Sequence, residues 1–187
     1  MSRFSQVAEN TFSELQVDAG VLLKNFDPEN PEIVEENIVC ATTGGINPTC
    51  VPTYSDWGED IDNCPANTME LKRIDGYECG LGFTALNVTP ETIKLSLGAA
   101  DINGRTIIPR KTLKTEDFND LWWVGDRSDG GLVAICLKNA LSTGGFSLQT
   151  TSDGKGQLSV TVTGHQSIKD IDTVPMEFYV AEGTPEE

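Results

Sequence analysis

The 187-residue chain has a formal net charge of -16, and 38% of its residues are hydrophobic. A chain of this length fits one domain over residues 1–187, and its hydrophobic content allows a buried core, which argues against wholesale disorder. Because phosphate binding requires a basic patch, the negative charge argues against a protein that binds nucleic acid or an anionic membrane surface.

The cysteine pattern and the N-terminus bear on the compartment of synthesis. Five cysteines are widely spaced, without the Cys-x-x-Cys pair of a zinc ribbon or a redox motif. Residues 1–6 open no apolar run of signal-peptide length, and nowhere do about 18 apolar residues occur together. We therefore expect synthesis in a cytoplasm, no membrane association, and reduced cysteines that act as small buried hydrophobes.

The beginning of the chain is predicted to form an extended N-terminal arm, residues 1–14, that leads into a first strand. Leu15 and Val17 alternate with polar residues, and an apolar run over 21–23 follows. Residues 38–41 are apolar and predict a further short strand.

The segment from Asn25 to Leu71 contains no lysine or arginine. Its acidic residues are Asp27, Glu29, Glu32, Glu35, Glu36, Asp56, Glu59, Asp60, Asp62 and Glu70. By itself, this pattern is typical of a solvated surface that keeps a protein soluble.

Residues 42–66 are rich in glycine, proline, asparagine and aspartate, which predicts a long loop. A loop of that length is uncommon in a compact domain. It is therefore either an interaction arm or a surface loop without fixed structure, and the composition does not choose between them. Beyond it, β-type runs over 69–74 and 77–83 flank Asp75-Gly76, which favours a hairpin turn at that dipeptide.

The clearest helix signal begins at Thr89. Thr89 suits the N-cap and Pro90 the first helical position, while Ile93 and Leu97 fall on one face and Gly98 lies near the end. We predict a helix of about ten residues that packs on a sheet.

A shorter helical turn is predicted to start at Thr115. Phe118, Leu121 and Trp122 follow it at the spacing of one helical face.

The last third of the chain is predicted to consist of strands. The run 132–137 is apolar throughout, so both of its faces should be covered. The segments 146–150 and 158–163 alternate and should form a hairpin, and 176–180 should be the last strand before a flexible acidic tail over 181–187. The predicted fold class is α+β, mainly β: a β-sandwich or curled sheet with one flanking α-helix.

Motifs that carry chemistry are weak in this sequence. The one histidine, His165, has no recognisable nucleophile signature near it. Asp56, Asp60 and Asp62 lack the spacing of a calcium loop, and the glycine-rich stretch 76–82 lies between predicted strands rather than before a helix. We therefore predict no catalytic, metal-binding or cofactor-binding residues and no enzyme activity.

Six segments occur in a characteristic order and spacing. They are LQVDAGVLL with FDP (15–23 and 26–28), LGAAD (97–101), LWWVGD (121–126), LKNALSTGG (137–145), VTGH (162–165) and VPMEFYV (174–180). In this order they resemble the major tail protein, or tail-tube protein, of long non-contractile-tailed phages that infect Gram-positive bacteria. The resemblance covers most of the chain and is strongest over 86–180.

The resemblance implies a structural subunit with a tail-tube β-sandwich. Six copies would close into a ring, and rings would stack head-to-tail into a hollow tube through which genome DNA passes without binding. The loop over 42–66 and the arm over 1–14 would reach a neighbouring ring. Expected partners are further copies of the chain, a tape-measure protein in the lumen, and tail terminator and distal-tail proteins at the ends. The subunit would be assembled in the host cytoplasm and reside in the virion tail.

The resemblance also gives the acidic stretch a role, because a DNA conduit should not offer lysine or arginine to passing phosphates. The candidate lumen-facing acids are Glu29, Glu32, Glu35, Glu36, Asp56, Glu59, Asp60, Asp62 and Glu70. The candidate inter-subunit aromatics are Phe4, Trp57, Trp122 and Trp123. Two alternative functions stay open. The first is a distal-tail or contractile injection-system tube protein of the same fold. The second, which is less favoured, is a small carbohydrate-binding or hydrolytic module that uses one of the adjacent tryptophans Trp122 and Trp123.

Overall fold

Antiparallel strands dominate the computed structural model, which describes residues 7–183. The strands are β1 Gln16–Leu23, β2 Thr42–Asp56, β3 Lys72–Ala85, β4 Ala100–Asn103, β5 Thr106–Pro109, β6 Asn119–Arg127, β7 Leu132–Ser142, β8 Ser147–Gln149, β9 Gln157–Thr163 and β10 Met176–Ala181. The helix α1 spans Pro90–Leu97, and short 3-10 turns occur at Glu35–Asn37, Met69–Leu71 and Thr115–Asp117. The prediction of a mainly β, α+β fold with one helix is confirmed.

The main sheet has eight strands. Its order is β1-β6-β7-β9-β3-β2, with β10 also paired to β7 and β8 to β9, while β4 and β5 form a separate small hairpin. Strand β7 joins the two halves of the sheet. It pairs with β6 from Leu132 to Ala140 and with β10 over Leu132–Leu137, and it pairs with β9 only at Leu141 and Ser142. Its residues 134–137 are buried, as the continuous apolar run predicts.

The main hydrophobic core takes side chains from both halves of the sheet. Strand β9 shows the alternation most clearly, because Leu158, Val160 and Val162 are buried while the residues between them are exposed. The buried cluster consists of Leu22, Cys40, Cys79, Leu81, Phe83, Ala85, Leu121, Trp123, Ile135, Leu137, Ala140, Leu158, Val160, Val162 and Met176.

Helix α1 begins as predicted. The Thr89 hydroxyl accepts a hydrogen bond from the Thr92 amide at 3.2 Å, and the Thr92 hydroxyl accepts one from the Thr89 amide at 2.8 Å, which together form a capping box. Its most buried residues, however, are Thr92 and Ser96 rather than Ile93 and Leu97. Small side chains allow close approach to the sheet, and the Ser142 hydroxyl of β7 donates to the Ser96 carbonyl at 2.6 Å.

The prediction of a loop over 42–66 is wrong for most of its length. Residues 42–56 form the long strand β2, which pairs with β3 from Thr42–Ala85 to Asp56–Lys72. The glycines that favoured a loop instead form a bulge between Thr43 and Ile46, where Gly44 and Gly45 have positive φ angles.

The hairpin turn predicted at Asp75-Gly76 is also wrong. Gly76 pairs with Thr53 and Ile74 with Tyr54, so Asp75 is an extra residue in a second bulge within β3. An aspartate followed by glycine suits a bulge as well as a turn. Here β2 pairs with β3 both before and after Asp75, so the chain continues as a strand and does not turn back.

Several shorter predictions also need correction. Residues 38–41 form only an isolated bridge, between Ile38 and Leu23. The helical turn at Thr115 is present, but Asn119 already begins β6, so the residues after Phe118 are in a strand. The predicted hairpin near 146–163 is confirmed as β8 and β9.

The chain ends differ from the predictions where the structure describes them. Residues 8–14 form successive hydrogen-bonded turns rather than an extended arm, and Ser128 donates a hydroxyl hydrogen bond to the Phe12 carbonyl. At the other end, Ala181 belongs to β10, where it pairs with Leu132, rather than to a flexible tail. Residues 1–6 and 184–187 lie outside the described part. Over residues 7–183, no helix has the length and apolar character needed to cross a membrane.

Candidate interaction surface

The β2–β3 hairpin extends beyond the rest of the sheet. Strand β3 pairs with β9 only over Gly80–Ala85, whereas it pairs with β2 down to Lys72. Residues 51–56 and 72–78 therefore form a two-stranded projection, which we call the ribbon. At about 3.3 Å per residue, the ribbon extends roughly 20 Å past the last pair with β9.

One face of the ribbon is apolar and uncovered. Residues that lie directly opposite each other in antiparallel strands share a face, and the face alternates along each strand. The opposed pairs Pro52–Tyr77 and Tyr54–Ile74 therefore continue the face on which Cys79 is buried in the core. Tyr54 is 55% exposed and Ile74 is 48% exposed. We call these four residues the apolar face of the ribbon.

The tip of the ribbon, residues 57–71, is an ordered turn. The Asp56 carboxylate accepts hydrogen bonds from the amides of Gly58 at 3.0 Å and Asn67 at 2.8 Å, and Lys72 donates to the Asn67 side chain at 2.7 Å. The hydrogen bond from the Gly58 amide, followed by that from Asn67, holds the pKa of Asp56 below its usual value. A Cβ atom on Gly58 would lie 2.9 Å from Cys64 Sγ and 2.9 Å from Leu71 Cδ1, so a larger residue at this buried position would displace these side chains.

The candidate lumen-facing acids fall into two groups. Glu29, Glu32, Glu35 and Glu36 are exposed in the segment between β1 and β2, whereas Asp56, Glu59, Asp60, Asp62 and Glu70 lie at the end of the ribbon. In the folded chain the second group does have a basic neighbour. Lys72 lies beside Asp56, with 3.9 Å between the Lys72 Nζ atom and the Asp56 carboxylate. None of the four glutamates in the first group forms an ion pair with another described residue.

The candidate inter-subunit aromatics differ in exposure. Trp57 at the tip is 61% exposed, and the Arg73 guanidinium lies 5.0 Å from its ring centroid. Trp122 is half-buried against the ring of Phe26. Trp123 is only 7% exposed, and its indole donates to the Ala19 carbonyl at 3.0 Å, so it has little surface to offer a neighbour. Phe4 lies outside the described residues.

Several strands pair on one side only, and the three longest of them are β1, β2 and β10. In the described residues, β2 pairs with β3 alone and β10 with β7 alone, while β1 pairs with β6 apart from the single bridge to Ile38. An unpaired strand edge offers amide and carbonyl groups to a strand of another chain. Pro48 and Pro52 lack donors and reduce this capacity along β2.

Histidine, cysteine and carboxylate side chains are the usual components of a catalytic or metal site. Between residues 7 and 183, no group of three or more His, Cys, Asp or Glu side chains is positioned to hold a metal ion. The Nδ1 atom of His165 lies 3.2 Å from the Asn139 carbonyl oxygen, and its ring packs edge-on against Phe118 at 5.3 Å.

Sequence reasoning missed the apolar face of the ribbon because it placed Tyr54 in a loop. The alternation of Pro52 and Tyr54 with the polar residues Thr53 and Ser55 was the signal that could have found it. No protein-family model matches the sequence, and a search of curated proteins gives no match.

Proposed function

We propose that this chain is a structural subunit of a viral tail tube, in which six copies form a ring and rings stack into a conduit for genome DNA. In this proposal the main sheet forms the β-sandwich of a tail-tube domain, the protein resides in the virion tail, and it has no catalytic role. The observation that carries the proposal is the ribbon, whose apolar face residues 7–183 leave exposed.

The energetics of the ribbon favour a partner. A two-stranded hairpin without a covered face is only marginally stable in water, yet this one continues well beyond the sheet. Burying its apolar side chains against another subunit would stabilise both the ribbon and the contact, at about 25 cal/mol for each Å² removed from water. The open edges of β1, β2 and β10 offer further contacts within a ring.

The direction of such contacts fits a tube. A contact between a projecting ribbon and a different surface of the next copy is heterologous, and repetition of a heterologous contact gives a ring or an open filament. The ribbon of one ring would therefore reach the ring beside it, with the tape-measure protein in the lumen and the terminator and distal-tail proteins at the ends.

One of the two acidic groups has the charge that a DNA conduit requires of its wall. Glu29, Glu32, Glu35 and Glu36 are exposed and form no ion pair with described residues, so a wall that carries them repels DNA phosphates. The acids at the tip have Lys72 and Arg73 nearby and suit a contact between subunits better. In the proposal, the first group lines the lumen.

Electron microscopy of the purified chain tests the proposal. We expect rings or tubes of uniform width for the wild type, and loss of these assemblies in the double variant Tyr54→Ala/Ile74→Ala. This variant should still fold, because both side chains are about half exposed. Ile108→Ala is the matched control, since Ile108 is similarly exposed but lies on the small β4–β5 hairpin. A wild-type protein that stays monomeric at every salt concentration would contradict the proposal.

A further inference from the structure

Two of the five cysteines face each other at the root of the ribbon. Cys50 of β2 and Cys79 of β3 are directly opposed, 29 positions apart in sequence, and their Sγ atoms lie 3.2 Å apart. Both are free thiols. Their pair comes immediately before Gly80, the residue at which pairing with β9 begins, so it lies at the boundary between the sheet and the ribbon.

The backbone geometry at this pair suits a covalent bond. The Cys79 carbonyl accepts a hydrogen bond at 3.0 Å from the Gly164 amide, which lies just after β9. The amide and carbonyl of one strand residue point to the same side, so those of Cys79 point away from β2, and Cys50–Cys79 is a non-hydrogen-bonded pair. In such pairs the Cα atoms are about 4.5 Å apart, within the range of about 4.4–6.8 Å that disulfides span.

We propose that Cys50 and Cys79 form a reversible cross-strand disulfide when the chain meets an oxidising medium, and that this bond fixes the root of the ribbon. The two sulfur atoms need to approach by only about 1 Å to reach bonding distance, which side-chain rotation can provide. This modification depends on β2 and β3 alone and does not depend on the tail-tube proposal.

The bond forms by thiol–disulfide exchange with a low-molecular-weight disulfide such as oxidised glutathione. The half-buried Cys50 is the accessible thiol, and its thiolate attacks one sulfur of the reagent, releasing one thiolate and leaving a mixed disulfide. Cys79 then attacks Cys50 Sγ and displaces the second reagent thiolate. The two cysteine protons end on the two released thiols, so two protein thiols are oxidised and one reagent disulfide is reduced.

The environment makes this pair slow to react and selective. Burial first, and then the adjacent Cys50 side chain, raises the pKa of Cys79 to about 12. The second step therefore depends on the contact between the two sulfur atoms rather than on a reactive thiolate. Cytoplasmic thiols would keep the pair reduced, and release of the protein into an oxidising medium would close it.

Peptide mapping after incubation with oxidised glutathione tests the proposal. Complete tryptic cleavage leaves Cys79 in the peptide 74–94 and Cys50 in 25–72, which also contains Cys40 and Cys64. We expect a cross-link between these two peptides, with the loss of two hydrogens, in the wild type and in the matched control Cys64→Ser. Cys50→Ser should abolish the cross-link, and dithiothreitol should reverse it.

Thermal unfolding provides a second readout. For a closed loop of this size, oxidation should raise the melting temperature of the wild type by roughly 7–14 °C, and it should not raise that of Cys50→Ser. A cross-link that persists in Cys50→Ser, or the absence of any 25–72 to 74–94 cross-link in oxidised wild type, would overturn the proposal.

Discussion

The two halves of strand β3 carry a similar pattern but have different surroundings. Over Cys79–Ala85 every second side chain is buried, because β9 lies beside this half and its side chains join the same core. Over Lys72–Glu78 every residue is at least partly exposed, although Ile74 and Tyr77 continue the apolar face. The difference teaches that an apolar strand face marks a surface to be covered and does not say which chain covers it.

The largest effect is expected from a substitution in the covered half of β3, residues 79–85. Leu81 is fully buried, so Leu81→Ala should lower the free energy of unfolding by about 2–5 kcal/mol through lost burial and the cavity left behind. Ile74→Ala, on the same strand, should cost about 1 kcal/mol or less, because its side chain is already half exposed. Urea unfolding of both variants measures the contrast, and equal losses would mean that the ribbon is covered within one copy.

A smaller effect is expected from adding one methyl group to each half. A Cβ atom at position 80 would lie 3.0 Å from the Val162 carbonyl oxygen of β9, so Gly80→Ala should cost about 1–3 kcal/mol as the strands separate. At position 76 the nearest atom is the Thr53 hydroxyl oxygen at 3.7 Å, so Gly76→Ala should be neutral or stabilise by up to about 1 kcal/mol. The same unfolding experiment checks this pair, and a clearly destabilised Gly76→Ala would contradict the account.

The smallest effect is local and concerns the tip. The pKa of Asp56 is lower in the folded tip than in an unfolded chain, so its hydrogen bonds stabilise the tip above the ordinary carboxyl pKa of about 4 and are lost as pH falls through the folded value. We expect the amide resonances of Gly58 and Asn67 to titrate with Asp56 in NMR spectra, and this titration to vanish in Asp56→Asn.

The matched control for the tip is Asp62→Asn, which changes an exposed carboxylate of the tip itself. This variant should leave the titration of the Gly58 and Asn67 amides unchanged, and the global unfolding free energy should hardly move in either variant. Amide resonances that titrate equally in Asp56→Asn would show that another group controls the tip.

The sequence predicted elements whose local signals agree with their final surroundings. Thr89 and Pro90 marked the start of α1, because a helix cap depends only on residues that are neighbours in sequence. The uninterrupted apolar run of β7 marked a strand covered on both faces, because such a run has no polar side to expose. Strand β9 followed from alternation in the same way, whereas β10 was predicted at the right place although Phe178 and Val180 of its alternating face are exposed.

The rest could not be read from local patterns, because long-range pairing decides it. The glycines and prolines of β2 indicate a loop on local grounds, yet pairing with β3 and placement at a sheet edge accommodate Gly44, Gly45, Pro48 and Pro52. The contact between Cys50 and Cys79 depends on the register of two bulged strands, which no spacing in the sequence reveals. The neighbourhood of Lys72 and Asp56 likewise arises only when the tip closes.

Hydrogen exchange along β2 and β3, measured by mass spectrometry in the monomer and in the assembled state, tests the central claim most directly. In the monomer, the amides of Gly80–Ala85 that pair with β9 should exchange slowly, while those of residues 51–56 and 72–78 exchange faster through local opening. On assembly, we predict that the ribbon becomes protected to the level of the core half, because a neighbouring subunit covers its apolar face. Ribbon amides that exchange at the same rate in both states would contradict the claim that the ribbon is the assembly surface.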